Sequence, residues 1–179
     1  MTPIYWPIDD EAVVRTFTPD DAEELFALVE ANRSRLEAWM PWADSTRSPD
    51  DTRDFIERGL ASEHDLEANG IWVDDRVAGA VGLSVDTLRN AGELGYWFGE
   101  EFEGRGLVTR ACRLFIDHGF RALGLRRISL HAGVENRRSR AVAERLGFSE
   151  EGVIRDSCHV GGDRYVDEVL YGLLEVEWR

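Results

Sequence analysis

Gly104 and Gly106, two glycines one residue apart, separate a run with strand spacing from a run with helix spacing. Residues 93–98 read as the strand. From Leu107 onward Val108, Ala111, Cys112, Phe115 and Leu123 recur at helical spacing, so a helix begins directly behind the second glycine. A strand that passes into a helix through such a loop is the joint of a mixed α/β fold. Glycine has no Cβ, so the loop can bring several backbone N–H groups to one point. The helix start adds unpaired N–H donors and the positive end of the helix dipole, which makes a phosphate or pyrophosphate a natural ligand. Taken alone the feature is weak. A plain tight turn looks the same, and the third glycine of a dinucleotide fingerprint and the Lys-Ser/Thr pair of a P-loop are both missing.

The rest of the chain fits one sheet with helices. A first strand is expected over 12–17. Asp20 and Asp21 then start a helix whose apolar residues are Ala22, Leu25, Phe26 and Val29. A tryptophan-rich joint follows: Leu36, Trp39, Met40, Pro41 and Trp42. Ser48, Pro49, Asp50 and Asp51 open a second helix, with Pro in the first turn and acids suited to the dipole. Its apolar residues are Phe55, Ile56, Leu60 and Leu66. Residues 71–73 and 77–85 read as strands around the turn Asp74-Asp75-Arg76. A strand over 127–134 alternates Ile128, Leu130, Ala132 and Val134, and a short helix from Ser139 stops at Gly147. Two last strands cover 148–155 and 165–174, joined near Gly161-Gly162. The order is strand, two helices, three strands, helix, strand, helix, two strands, which predicts a mixed α/β fold around one central sheet.

Composition narrows the function classes. A chain of 179 residues predicts a single domain spanning 1–179. It can bury roughly 70% of its unfolded surface, so it needs no staples. An apolar share of 43% and six Trp residues exclude a disordered chain. The 21 basic and 35 acidic side chains leave a formal charge of −14, which argues against nucleic acid as a partner. Every basic side chain is Arg and none is Lys. That matches either a surface adapted to high salt or a GC-rich genome, and it bears on solubility, not chemistry. Cys112 and Cys158 have no metal-ligand or redox spacing and read as free thiols in a reducing compartment; no metal is expected. The first seven residues carry no basic or long apolar segment, and the longest apolar stretch, 77–85, is too short to span a bilayer. A soluble cytoplasmic protein without a membrane partner is the expectation.

A second segment sharpens the reading. Val134-Glu135-Asn136-Arg137-Arg138-Ser139 lies between a strand and a helix, and Leu146-Gly147-Phe148 closes that helix, with Glu151-Gly152 beyond. Together with the glycine loop it resembles the GNAT superfamily of acyl-CoA-dependent N-acetyltransferases, specifically the RimJ/RimL type. The resemblance runs over residues 12–174 in the order of elements. Its signals are Glu93-Leu94-Gly95-Tyr96-Trp97, Gly104 to Thr109, Asn136 with Ser139, Leu146 to Gly152, and Trp39-Met40-Pro41-Trp42.

The resemblance implies the GNAT fold: a mixed, mostly antiparallel sheet of six to seven strands with a splayed, V-shaped cleft, flanked by about four helices. It implies acetyl-CoA as cosubstrate. The pantetheine arm would lie between the strand of Tyr96, Trp97 and Phe98 and the strand of Leu130, His131 and Ala132. The pyrophosphate would sit on the N–H groups of Gly104, Arg105, Gly106, Leu107, Val108 and Thr109, helped by the Arg105 and Thr109 side chains. A backbone N–H near Phe98 would stabilise the oxyanion. Asn136 and Ser139 would approach the thiol end, with Ser139 protonating the departing thiolate. The resemblance also implies a homodimer.

Two positions depart from the family pattern. Glu101 stands three residues before Gly104, where the superfamily usually has Gln or Arg, and is not counted as a ligand. Cys158 stands nineteen positions after Ser139, where some RimL-type enzymes have a glutamate base, so the base must lie elsewhere or be a water chain. Glu93, at the start of the splayed strand, is the catalytic candidate for that role, against a solvated strand-end acid. His131 could face the cleft or be a packed histidine. Asp156 and His159 could replace the missing base or be surface residues. Ser139 also fits a plain helix N-cap. Arg137, Arg138 and Arg140 suit the phosphoadenosine end of CoA or a solvated face. The leading function is acetyl transfer from acetyl-CoA to an amine, foremost a protein N-terminal α-amine. A polyamine or aminoglycoside is the alternative acceptor, and a non-catalytic acyl-CoA-binding protein is the rival class.

Overall fold

The computed structural model describes residues 3–62, 64–161 and 163–179. Eight strands form one sheet in the order β1-β2-β3-β4-β5-β6-β8-β7. They are β1 (Tyr5–Pro7), β2 (Ala12–Thr16), β3 (Asn69–Val73), β4 (Arg76–Asp86), β5 (Ala91–Phe98), β6 (Arg127–Gly133), β7 (Ser149–His159) and β8 (Tyr165–Leu174). Every neighbouring pair is antiparallel except β5 and β6, which are parallel. Helices α1 (Ala22–Leu36), α2 (Trp42–Ser45), α3 (Pro49–Ala61), α4 (Leu107–Arg121) and α5 (Arg137–Arg145) flank it. The mixed, mostly antiparallel sheet is the one expected. Among the described residues no helix is long and apolar enough to cross a membrane.

Several boundaries differ from the sequence reading, each for a local reason. The sheet has eight strands instead of six or seven because β1 joins it. Three residues ending in Pro7 carry no alternation to read. What fixes them is tertiary: buried Ile4 donates its N–H to Thr16 Oγ1 at 2.7 Å, and Tyr5 pairs with Arg15. α3 begins as expected, with Ser48 Oγ accepting from the Asp51 N–H and the Asp51 carboxylate accepting from the Ser48 N–H. It stops at Ala61, so Leu66 is not part of it. Leu66 instead exchanges two backbone hydrogen bonds with Leu83, at 2.8 and 3.2 Å. Leu123 likewise lies past the end of α4 and is exposed. The tryptophan joint contains the short helix α2. Of the turn Gly161-Gly162, the second glycine lies outside the described residues.

Alternation along the central strands sorts side chains onto two faces. Leu94 of β5, Ile128, Leu130 and Ala132 of β6, and Val169, Tyr171 and Leu173 of β8 pack around Cys112, Phe115 and Ile116 of α4. Tyr96 joins them. Fully burying Phe115 or Ile116 stabilises the fold by about 1.5–3 kcal/mol each. The opposite face carries Glu93 and Trp97 of β5, His131 and Gly133 of β6, and Glu168 of β8. There the Trp97 ring meets Trp42 of α2, with centroids 5.7 Å apart. Trp39 lies on Gly133 so closely that an added Cβ would come within 2.7 Å of its ring. Glycine at 133 therefore lets the α1–α2 joint settle on the sheet.

Candidate active site

β5 and β6 pair only at Ala91↔Arg127, Gly92↔Ile128 and Glu93↔Ser129. Beyond that point β5 stays with β4 as far as Phe98, and β6 stays with β8 as far as Gly133. The two strands are held by different neighbours and diverge into a V with its vertex at Glu93. Among the described residues, the backbone groups of β5 that face this V have no strand partner past Glu93. An extended, amide-bearing arm can therefore hydrogen-bond there as an added strand would. A cavity of about 760 Å³ fills the V. Its walls include Tyr96, Asn136 and Ser139 from the α4/α5 side, and Trp39, Trp97, His131, Cys158 and Glu168 from the other, so it passes through the sheet. A further cavity of about 510 Å³, near Trp6 and His118, is lined by none of the catalytic or cofactor-binding candidates named from the sequence.

The glycine loop lies at the open end of β5, outside that cavity. Gly104 and Gly106 have φ of 81° and 69°, values that a β-branched residue strongly resists. Gly106 is the N-cap of α4, and among the described residues no side chain caps this helix start. The N–H groups of Leu107, Val108 and Thr109 are thus presented as an anion site. Leu107 contributes only backbone, since its side chain is buried. The loop is anchored from two helices. Asn32 of α1 accepts from the Glu100 N–H at 2.9 Å, and Glu103 pairs with Arg35 of α1 and, at 2.7 Å, with Arg138 of α5. The Arg105 side chain pairs with Glu11 of the β1–β2 turn. Glu101 turns outward to Arg76 at 2.9 Å, away from the helix start. Phe98 packs its ring on Phe102, centroids 6.0 Å apart.

At the mouth of the V, α5 begins at Arg137 and not at Ser139. Asn136 is its N-cap and accepts from the Ser139 N–H at 3.1 Å. Ser139 is thereby relieved of capping, and its Oγ lies 2.9 Å from the Tyr96 phenolic oxygen. Burial pushes the Tyr96 phenol far above its ordinary value, with the nearby Cys112 thiol adding to the effect. The phenol therefore stays protonated and keeps a proton to donate. Tyr96 lies within the Glu93–Trp97 motif, and nothing in that motif marks the phenol for a role. Of the basic cluster, Arg138 is taken by Glu103, and Arg140 donates to Tyr171 at 3.0 Å and to the Val134 carbonyl at 3.2 Å.

The acceptor side gathers different groups. Glu93 is exposed at the vertex and lines the cavity. His131 and Glu168 line it too, with Nδ1 and Oε2 3.9 Å apart. Glu168 was not singled out from the sequence. Cys158 is buried beside them, its Sγ 4.0 Å from the Trp39 carbonyl. Burial and then the Glu168 charge push its thiol up, so it is neutral. Asp156 and His159 are not on the cavity wall. Among the described residues no group of His, Cys, Asp and Glu is placed to hold a metal ion.

An unpaired strand edge leading to an uncapped helix start suits the amide arm and diphosphate of an acyl-CoA, and places the chain among acyl-CoA-dependent acyltransferases. The family model described as the acetyltransferase (GNAT) domain matches residues 12–149. The chain belongs to that family and is an enzyme, an acetyl-CoA-dependent acetyltransferase related to the RimJ/RimL-type ribosomal enzymes. It is 39% identical over 176 residues to the putative ribosomal N-acetyltransferase YdaF of Bacillus subtilis (strain 168), covering 96% of this chain and 95% of that one. A solved probable acetyltransferase is 36% identical, with a TM-score of 0.88 over 98% of this chain and 99% of the other. The microcin C7 self immunity acetyltransferase MccE, solved with acetyl-CoA and AMP, is 28% identical, with a TM-score of 0.86 over 93% and 94%. A shorter likeness, 32% over 90 residues, covers 50% of this chain and 48% of spermidine N(1)-acetyltransferase of Escherichia coli (strain K12).

Proposed function

We propose that this enzyme transfers acetyl from acetyl-CoA directly to the α-amine of a protein N-terminus, as a single acetyltransferase domain working as a cytoplasmic homodimer. The observation that carries the reaction is the cavity through the splayed sheet, with donor-bearing hydroxyls on one face and acids on the other. In this reading the α4 start holds the diphosphate through the N–H groups between Gly104 and Thr109. The free edge of β5 by Trp97 and Phe98 holds the arm and polarises the carbonyl, and Asn136 and Ser139 meet the sulfur. Ser139, backed by Tyr96, protonates the leaving thiolate. Glu93, exposed at the vertex, takes up the acceptor's proton through water.

The acceptor is a cation before it reacts. Among the described residues, Asp51, Asp54, Glu67, Glu93 and Glu168 line the cavity against one arginine, Arg58, and the imidazole of His131, so an ammonium group is favoured over an anion. The nearly full-length likeness to a ribosomal N-acetyltransferase supports a protein acceptor. The acidic wall fits a polyamine as well, and the half-length likeness to a spermidine enzyme supports that second reading. A thiol-release assay with acetyl-CoA against peptides with free N-termini, spermidine and an aminoglycoside separates them. Acetylation of the peptides in preference to the small amines is expected. Preference for spermidine selects the second reading, and acetyl-CoA binding without turnover of any probe selects a binding protein.

A further inference from the structure

An amine attacking a thioester must give up a proton, and the neutral Cys158 thiol cannot take it. We infer that His131 receives this proton directly, and that Glu168 positions the imidazole and balances its charge. The inference rests on the acetyltransferase reading above and names the group that acts on the amine itself.

Placement along the strands favours His131 over Glu93. Glu93 pairs with Ser129 at the vertex of the V. His131 is two residues past Ser129, roughly 7 Å further into the wedge, whereas Glu93 is three residues, roughly 10 Å, short of Tyr96. His131 thus stands closer to the level of the Tyr96–Ser139 hydroxyls, on the wall of the same cavity. Its face of the sheet is the opposite one. Glu168 lies diagonally across from it on β8, since His131 pairs with Leu170 and Gly133 with Glu168. Both side chains are sheltered, 27% and 18% exposed. Ser157 Oγ donates to Glu168 Oε2 at 2.5 Å and fixes the carboxylate from β7. With Nδ1 toward Glu168, Nε2 is the nitrogen left for the amine, and imidazole is the side chain best matched to proton transfer near neutral pH.

The sheet then separates two proton carriers. As the nitrogen adds to the carbonyl carbon, the N–C bond forms and the amine's proton passes to His131. As the C–S bond breaks, the sulfur takes its proton from Ser139. Water resets both groups, with Glu93 as the outlet. The titratable groups lining the cavity with His131 are Glu168 of β8, Cys158 of β7, Glu93 and Tyr96 of β5, Asp51, Asp54 and Arg58 of α3, and Glu67 ahead of β3; the α1–α2 joint presents uncharged Trp39.

The test compares wild type, His131→Gln, Glu168→Gln and Glu93→Gln for kcat/KM from about pH 6 to about pH 9.5. The probe is whichever amine of the panel turns over, and acetyl-CoA affinity is measured by calorimetry. His131→Gln should lose about 100-fold at neutral pH, with the deficit shrinking at high pH where the amine deprotonates unaided. Glu168→Gln should lose about 10-fold in kcat with KM for the amine nearly unchanged, because the imidazole is no longer oriented toward the attacking nitrogen. Acetyl-CoA affinity should hold within about twofold in both. Should His131→Gln melt early, the loss confined to kcat in Glu168→Gln carries the same test, and a Glu168→Gln enzyme with wild-type kcat overturns the inference. A wild-type profile in His131→Gln, or a limb abolished by Glu93→Gln alone, overturns the inference. A wild type that binds acetyl-CoA yet acetylates no probe overturns the function itself.

Discussion

The Ser139 hydroxyl is available to chemistry because the Asn136 side chain already caps its helix. Its nearest polar neighbour is the Tyr96 phenol, held protonated by burial. Ser139→Ala should therefore lower kcat by about 10- to 1000-fold while acetyl-CoA affinity changes little. Ser139 is not the cap, so its melting temperature should fall by less than the loss of a cap, about 1 kcal/mol, would produce. Tyr96→Phe should lower kcat in the same direction and by less, since it acts through Ser139. Cys158→Ala should stay within a few-fold of wild type. A fully active Ser139→Ala beside an inactive Cys158→Ala would require a cysteine-dependent mechanism instead. Ser139 was legible in the sequence from its spacing to Asn136. Tyr96 and Glu168 were not, because their partners lie 43 and 37 positions away and nothing local marks either pair.

The joint from β5 to α4 carries the cosubstrate assignment at the scale of elements. Gly106 sits at φ 69° with nothing within 4 Å of where a Cβ would stand, so a side chain there meets open space and backbone strain together. Gly106→Val should weaken acetyl-CoA binding by about 10-fold or more, by placing a branched side chain where phosphate must approach the backbone. Far-UV circular dichroism should show the fold intact, and calorimetry reads the affinity. Unchanged affinity in a folded variant would remove the loop from the binding site. This joint was readable in advance because its two glycines, the preceding strand and the following helix are contiguous. The register of its surroundings was not. Asn32, Arg35 and Arg138 hold the loop from α1 and α5, and no pattern within the loop announces them.

Across the whole molecule, 35 acids against 21 arginines leave the surface with an excess of like charge. Exposed pairs such as Arg47–Asp44 and Arg89–Asp86 contribute little each, so screening them costs little, while screening the net repulsion stabilises the compact state. The melting temperature should rise by a few degrees between about 0.05 M and about 1 M NaCl. A flat or falling curve would show that the ion pairs outweigh the repulsion. The sequence by itself determined what depends on neighbours along the chain: the α/β class, most strands and helices, the α3 capping box, the glycine turn and the Asn136–Ser139 spacing. Period, capping chemistry and glycine's freedom are local properties. Only the tertiary structure decided the rest. β1 exists because Ile4 and Thr16 meet; the V opens because β5 and β6 are held by different partners; and His131, Cys158 and Glu168 share one wall because three strands bring them there. These are contacts between residues distant in sequence, and they form only when the sheet closes and its buried faces fix the register.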